Sequence, residues 1–135
     1  MNRQEFFNNA RCLNSRDKCF CNERCSSTST GLRGRTGPDS FNLGPIGTYQ
    51  ILFQVSVDQA GQLILTLNGA DLEYTVAGRA TGTSQIVGMA VVTTTSVDSV
   101  LTVRNPAGNA AALTITPLAG GTRPVSAHLV ITQIQ

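Results

Sequence analysis

Strict alternation of apolar and polar residues along short segments is the feature that most constrains the fold of this chain of 135 residues. In the stretch YQILFQVSV, every second residue is apolar: Tyr49, Ile51, Phe53, Val55 and Val57. The intervening positions are polar except for Leu52. Because successive side chains of a strand point to opposite faces of a sheet, this period of two predicts a half-buried strand.

The same pattern continues to the end of the chain and predicts about eight strands. Residues 62–68 alternate again, and the turn signal Asn68-Gly69 predicts a hairpin that returns through Leu72, Tyr74 and Val76. Residues 86–94 are small and apolar on both faces, which is typical of a strand that is covered on both sides. Further strands are predicted at 41–43, 97–104, 111–116 and 125–134. Short strands without a helix-length pattern predict an all-β antiparallel sandwich or jelly roll over residues 40–135.

Charged residues make up only 13% of the chain, about half the usual share. They are distributed unevenly, since residues 1–35 hold seven basic and three acidic side chains, whereas residues 36–135 hold three basic and five acidic ones. The N-terminal part is therefore net basic. It contains no recognisable nucleic-acid-reading motif, so we expect no nucleic-acid partner.

Motifs that carry catalysis are missing from the sequence. His128 is the only histidine, and Ser126 and Asp98 are the residues that a catalytic triad would draw on. No nucleophile elbow, Gly-rich oxyanion loop, phosphate-binding loop or dinucleotide fingerprint accompanies them. The sequence therefore predicts a protein that is not an enzyme, with no catalytic residues and no cofactor.

Four cysteines crowd the first 30 residues, which show no helical period and are predicted to form an extended connector arm. They follow the spacing C-x6-C-x-C-x3-C: Cys12, Cys19, Cys21 and Cys25. Zinc knuckles prefer two cysteine pairs of shorter spacing, so no metal is predicted and disulfide cross-links are favoured. Cys19 and Cys21 alternate along an extended chain, which suits bonds to two different neighbours better than a closed intrachain knot.

Two further features belong to this N-terminal region. Phe6 and Phe7 form an aromatic pair in a polar setting, which predicts docking of the arm into a partner pocket; packing against their own domain is the alternative. Gly31, Gly34 and Gly37 recur every third residue, which predicts a short collagen-like neck over residues 31–39. A flexible Gly-Pro linker is the other interpretation of that spacing.

A collagen-like stretch followed by a Thr- and Gly-rich β-domain resembles the collagen-like exosporium glycoprotein (BclA) of bacterial endospores. The resemblance covers roughly residues 41–135 and is carried by GTYQILFQVSV, GQLILTLNG and VSAHLVITQIQ. It implies a homotrimeric jelly roll of the tumour-necrosis-factor-like type. The collagen region here is a stub, whereas family members often have long repeats, and the cysteine cluster is more similar to the N-terminal connectors of endospore appendage (Ena) subunits.

Together these resemblances imply a structural subunit of a spore-surface fibre or appendage, in which trimers join head-to-tail through the arm and its disulfides. The implied partners are the chain itself and other exosporium or spore-coat proteins. An exosporium cap or adhesion module is the alternative. The sequence MNRQEFFNNARC has no apolar stretch long enough for a signal peptide or membrane helix, so we expect synthesis in the mother cell, a place on the spore surface and no membrane partner.

Overall fold

The computed structural model describes residues 14–15, 18–20, 32–35, 40–82, 84–109, 113–114, 116, 118–125 and 127–135. In these ranges the chain forms β-strands and one short 3₁₀ turn, Glu73–Thr75, and no α-helix. The strands are β1 (Asn14–Ser15), β2 (Lys18–Phe20), β3 (Leu32–Arg35), β4 (Phe41–Leu43), β5 (Thr48–Val57), β6 (Gly61–Leu67), β7 (Ala70–Asp71), β8 (Ala77–Arg79), β9 (Ser84–Thr93), β10 (Ser99–Arg104) and β11 (His128–Gln133).

The first sheet has the strand order β1-β2-β11-β5-β9, and all of its pairings are antiparallel. β5 and β9 are its two longest strands, with ten residues each, and they pair along their whole length, from Thr48 opposite Thr93 to Val57 opposite Ser84. On its other side, β5 pairs with β11 as far as Gln54, which lies opposite His128. The predicted strand that begins at Tyr49 is thus confirmed as the spine of this sheet.

The second sheet has the order β3-β4-β10-β6-β7, with β8 added to β6. From β4 onward the main strands alternate between the sheets, because β4, β6 and β10 lie in the second sheet while β5, β9 and β11 lie in the first; the short β7 and β8 stay beside β6. This alternation between two antiparallel sheets is a jelly roll, which confirms the predicted fold class.

The core fills the space between the two sheets with the inward-facing residues of both. Its fully buried large side chains include Tyr49, Phe53, Leu65, Leu101 and Leu129. Gly88 lies opposite Phe53 across the β5–β9 pair, and a Cβ atom at residue 88 would come within 2.2 Å of the Phe53 ring. Only glycine therefore allows the ring to pack directly on the backbone of β9.

The hairpin signal at Asn68-Gly69 is confirmed. Both residues have positive φ angles, 52° and 85°, as a tight turn of the mirror-image type requires. The amide of Asn68 donates to the Val100 carbonyl, and the Val100 amide donates to Oδ1 of Asn68. These two bonds attach the turn to β10.

The prediction of one return strand through Leu72, Tyr74 and Val76 is wrong. The chain instead forms β7, the 3₁₀ turn and then β8. The cause is Thr75, whose buried hydroxyl donates to the Leu72 carbonyl and accepts the amide of Leu65. A side chain that bonds its own backbone three residues earlier competes with the strand and tightens the chain into a turn.

Candidate self-association surface

The outer face of the first sheet is the surface that departs most from an ordinary soluble surface, and we call it the open face. It is built by the residues that alternate with core residues on three neighbouring strands: Gln50, Leu52 and Gln54 on β5; Val87, Met89 and Val91 on β9; His128, Val130 and Thr132 on β11. The register places them in three rows of three. Such rows bring cross-strand side chains into contact range.

Apolar side chains dominate the open face along β9. Val87, Met89 and Val91 are between 51% and 64% exposed. The middle row is apolar across all three strands, because Leu52 lies opposite both Val130 and Met89. Leu52 and Val130 are half-buried, whereas Met89 is exposed. The result is a continuous apolar strip, unlike the single exposed side chains that are normal on soluble proteins.

Hydrogen bonds from polar side chains hold two residues of this strip in place. Nε2 of Gln50 lies 3.1 Å from Sδ of Met89 and donates to it, and the Tyr74 hydroxyl donates to the Val91 carbonyl at 3.1 Å. β9 is the edge strand of its sheet, and this tyrosine occupies one acceptor of the edge. A sheet edge whose backbone groups are already bonded resists the addition of a further strand. We therefore expect another copy to pack against the side chains of the open face rather than to pair with the backbone of β9.

The outer face of the second sheet, which we call the closed face, is different. It presents Asn42, Ile64, Thr66 and Thr102, and all four are buried within the single chain. Thr66 and Thr102 lie opposite each other, and their hydroxyl oxygens are 2.6 Å apart. These side chains are already buried, while Val100 and Arg104 on the same face are half-buried, so the open face is the larger exposed apolar surface in the described part of the chain.

The described residues do not assemble a catalytic centre around His128. This exposed side chain lies on the open face, where β11 begins, opposite Gln54. Asp98 lies at the other end of the sandwich, where its amide donates to the Gly44 carbonyl. The two ends are separated by six residues of β11, about 20 Å.

A metal site and a membrane-spanning helix are also absent from the described residues. These residues contain no group of three or more His, Cys, Asp or Glu side chains that could hold a metal ion. No helix within them has the length and apolar character needed to cross a membrane.

The predicted cross-linking and neck residues are only partly within the described ranges. Cys19 lies in β2, opposite Ile131 on one side and Asn14 on the other. Gly34 lies in β3, opposite Asn42 of β4. Antiparallel pairing differs from the polyproline helix of a collagen neck, so the neck stays a prediction for assembled chains. The remaining residues of these predictions lie outside the described ranges: Phe6, Phe7, Cys12, Cys21, Cys25, Gly31 and Gly37.

Sequence reasoning identified β9 but not the whole open face. The two-sided apolar pattern of residues 86–94 predicted a strand covered on both sides, whereas the single chain covers only the face of Ile86 and Val92. Leu52 broke the alternation of β5, and this irregularity was the signal for the middle row. The contribution of Val130 depends on the register of β11 and could not be found from the sequence.

Comparison with known proteins supports the fold and leaves the family open. No protein-family profile matches the chain, and no curated protein sequence does. Among solved structures, murine APRIL at pH 8.0 aligns over 93% of this chain and 92% of its own, with a TM-score of 0.59 and 16% identity. The globular domain of zebrafish complement 1qA aligns over 87% and 95%, with a TM-score of 0.51 and 14% identity. At this identity the similarity establishes the jelly-roll fold alone.

Proposed function

We propose that the chain is a structural, non-catalytic subunit that assembles into homotrimers through its open face. The observation that carries this proposal is the apolar strip along β9, where Val87, Met89 and Val91 are each more than half exposed to solvent and Met89 continues an apolar row across three strands. Apolar surface of this kind marks interaction sites. A threefold arrangement buries one such strip in each protomer of a closed assembly.

The homotrimer is in turn the unit of a spore-surface fibre or appendage. The resemblance to exosporium and appendage proteins supports this location. The composition supports it too, because a chain with few charges suits a surface that is largely covered by its neighbours. The chain is made in the mother cell, where its thiols stay reduced, and they oxidise once the spore surface is exposed.

The N-terminal arm joins successive trimers head-to-tail. Phe6 and Phe7 anchor it in the next subunit, and disulfides of the four cysteines then make the joint covalent. The pairing of β2 with β11 supports a role of the cysteine segment close to the β-domain, because it brings Cys19 into the first sheet, opposite Ile131. A contact of this kind does not close on itself and therefore extends into a filament.

Electron microscopy and non-reducing electrophoresis of the full chain test this function together. We expect fibres, and a ladder of covalent oligomers that collapses when a thiol reductant is added. A variant with all four cysteines replaced by serine loses the ladder, and its assemblies become less resistant to denaturant because cross-links constrain the unfolded chains. Dispersed particles and a single monomer band from the oxidised wild-type protein would contradict the fibre function.

A further inference from the structure

One end of the sandwich carries a second apolar surface, separate from the open face. It is formed where β4, β9 and β11 end and β5 and β10 begin, by segments 44–47, 94–98 and 134–135, and we call it the tip. Each segment holds one large apolar side chain that is more than half exposed: Ile46, Val97 and Ile134, at 53% to 65%. The domain thus presents apolar side chains at its end as well as on its flank.

Hydrogen bonds hold the three segments of the tip together. The Asp98 amide donates to the Gly44 carbonyl, and the amide and hydroxyl of Thr94 both donate to the Gly47 carbonyl. The chain end is attached as well, because the Thr48 amide donates to the Gln135 carbonyl at 2.7 Å. A Cβ atom at residue 47 would lie 2.4 Å from that same oxygen, so the segments are closely packed. A pre-organised surface loses little entropy when it binds a partner.

The direction of β1 fixes where the described fold begins relative to the tip. β11 runs toward the tip, β2 runs antiparallel to β11, and β1 runs antiparallel to β2. β1 therefore also runs toward the tip, and its first residue, Asn14, lies farther from the tip than Ser15 does.

The reach of the chain fits a contact with the next subunit. Across the strands of the first sheet, Asn14, Ile131 and Ile51 lie at the same height along the strand direction. The end of β5 that is farther from the tip, at Val57, lies about 20 Å from Ile51. The seven residues from Phe7 to Asn14 span at most about 25 Å when extended. The aromatic pair can thus just pass the far end of its own domain, where the tip of a following copy would lie.

Charge and polarity are compatible with this partner. Segments 44–47, 94–98 and 134–135 contain no lysine or arginine, and Asp98 is their only charged side chain, so a basic arm meets no like charge there. The first 13 residues carry Arg3 and Arg11 against Glu5 and hold the two phenylalanines. Large aromatic side chains that enter an apolar surface are the usual anchors of protein interfaces.

We propose that the tip is the acceptor for Phe6 and Phe7 of a second copy of this chain. This inference rests on the proposed head-to-tail function and identifies its binding site. The arm of one subunit binds the tip of the next. The open face, by contrast, joins protomers side by side. The two surfaces therefore separate lateral assembly from axial assembly.

A peptide-binding experiment tests the tip without requiring fibres. The probe is a labelled peptide of residues 1–11, and the receptor is the full chain with F6S and F7S, kept in a thiol reductant so that only non-covalent binding is measured. We expect saturable binding that weakens at least tenfold when V97K and I134K are added to the receptor. The matched control is L118K, another exposed apolar residue outside the tip, which should leave binding unchanged. No binding to the parent receptor, or equal binding to the V97K/I134K receptor, would overturn the proposal.

A mixing experiment separates this proposal from the fibre function. The F6S/F7S protein keeps its tip and the V97K/I134K protein keeps its arm, so each alone should give soluble trimers, and their mixture should give pairs of trimers that grow no further. V97K/I134K protein that sediments as monomer would place these residues in the lateral interface and overturn the assignment of the tip. Peptide binding at the tip without wild-type fibres would contradict the fibre function and leave the docking surface intact.

Discussion

The outer faces of the two sheets invert the usual relation between polarity and exposure. On the open face, Val87, Met89 and Val91 are apolar and exposed, whereas on the closed face Thr66 and Thr102 are polar and buried. Both faces belong to antiparallel sheets that share one core. The difference therefore lies in what covers each face, since the closed face is buried in the single chain and the open face is not.

This contrast teaches that side-chain chemistry alone does not identify an interface. A buried hydroxyl is stable when it has a hydrogen-bond partner, and the Thr66–Thr102 pair supplies one across two strands. An exposed valine or methionine gains free energy when a second surface removes it from water, by about 25 cal/mol for each Å² of apolar area that is buried. The open face has this gain still available, which is why we assign it to self-association.

The largest effect is expected from a charge at the centre of the open face. In M89K, lysine would be buried without a partner in the trimer, while it stays solvated in the monomer, where residue 89 is exposed. We expect self-association to weaken at least a hundredfold, about 3 kcal/mol, with the monomer still folded. Sedimentation velocity checks the first expectation and circular dichroism the second. L118K is the control, and M89K protein that remains trimeric at micromolar concentration would contradict the role of the open face.

A smaller effect, on folding and not on assembly, is expected from the closed face. T66V or T102V leaves the remaining hydroxyl without its partner and should lower the free energy of unfolding by about 1–2 kcal/mol. The double variant should cost less than the sum, because both polar groups are then gone. Urea unfolding measures these differences. Thr48 and Thr93 form an exposed hydroxyl pair at 3.3 Å, so T93V is the matched control and should change the free energy by less than about 0.5 kcal/mol.

The smallest effect on the free energy of unfolding is expected from a change in the shared core, at Tyr49. Burial raises the pKa of Tyr49 above its usual value of 10.0, and its hydroxyl donates to the Pro45 carbonyl at 2.7 Å. Because the folded state favours the protonated phenol, this contribution to stability is complete below pH 10 and is lost as the pH rises above it. Y49F should lower the free energy of unfolding by about 1 kcal/mol at pH 8. It should also remove the part of the decrease in stability above pH 10 that comes from ionisation of Tyr49. Identical pH profiles of the two proteins between pH 9 and 11 would show that Tyr49 does not titrate in this way.

The sequence predicted the jelly roll because burial in a two-layer β-fold leaves a period of two in each strand, as it does from Tyr49 to Val57. It failed between Leu72 and Val76, where a single hydroxyl, that of Thr75, replaces strand pairing with a turn. The sequence also marked β9 as apolar on both faces. It could not show which neighbouring residues complete the open face, because the row of Val130, Leu52 and Met89 joins positions up to 78 residues apart and depends on register. The tip was missed for the same reason, since hydrogen bonds between distant loops bring its three segments together.

Sedimentation equilibrium of the full chain in a thiol reductant tests most directly whether the open face is an interface between copies of this chain. The reductant removes covalent links, so the measured mass reports the packing of side chains alone. We expect three times the protomer mass of 14.2 kDa, or multiples of this trimer where the arm also engages. A single species of 14.2 kDa at micromolar concentration would contradict the assignment, because Val87, Met89 and Val91 would then stay exposed with no second copy covering them.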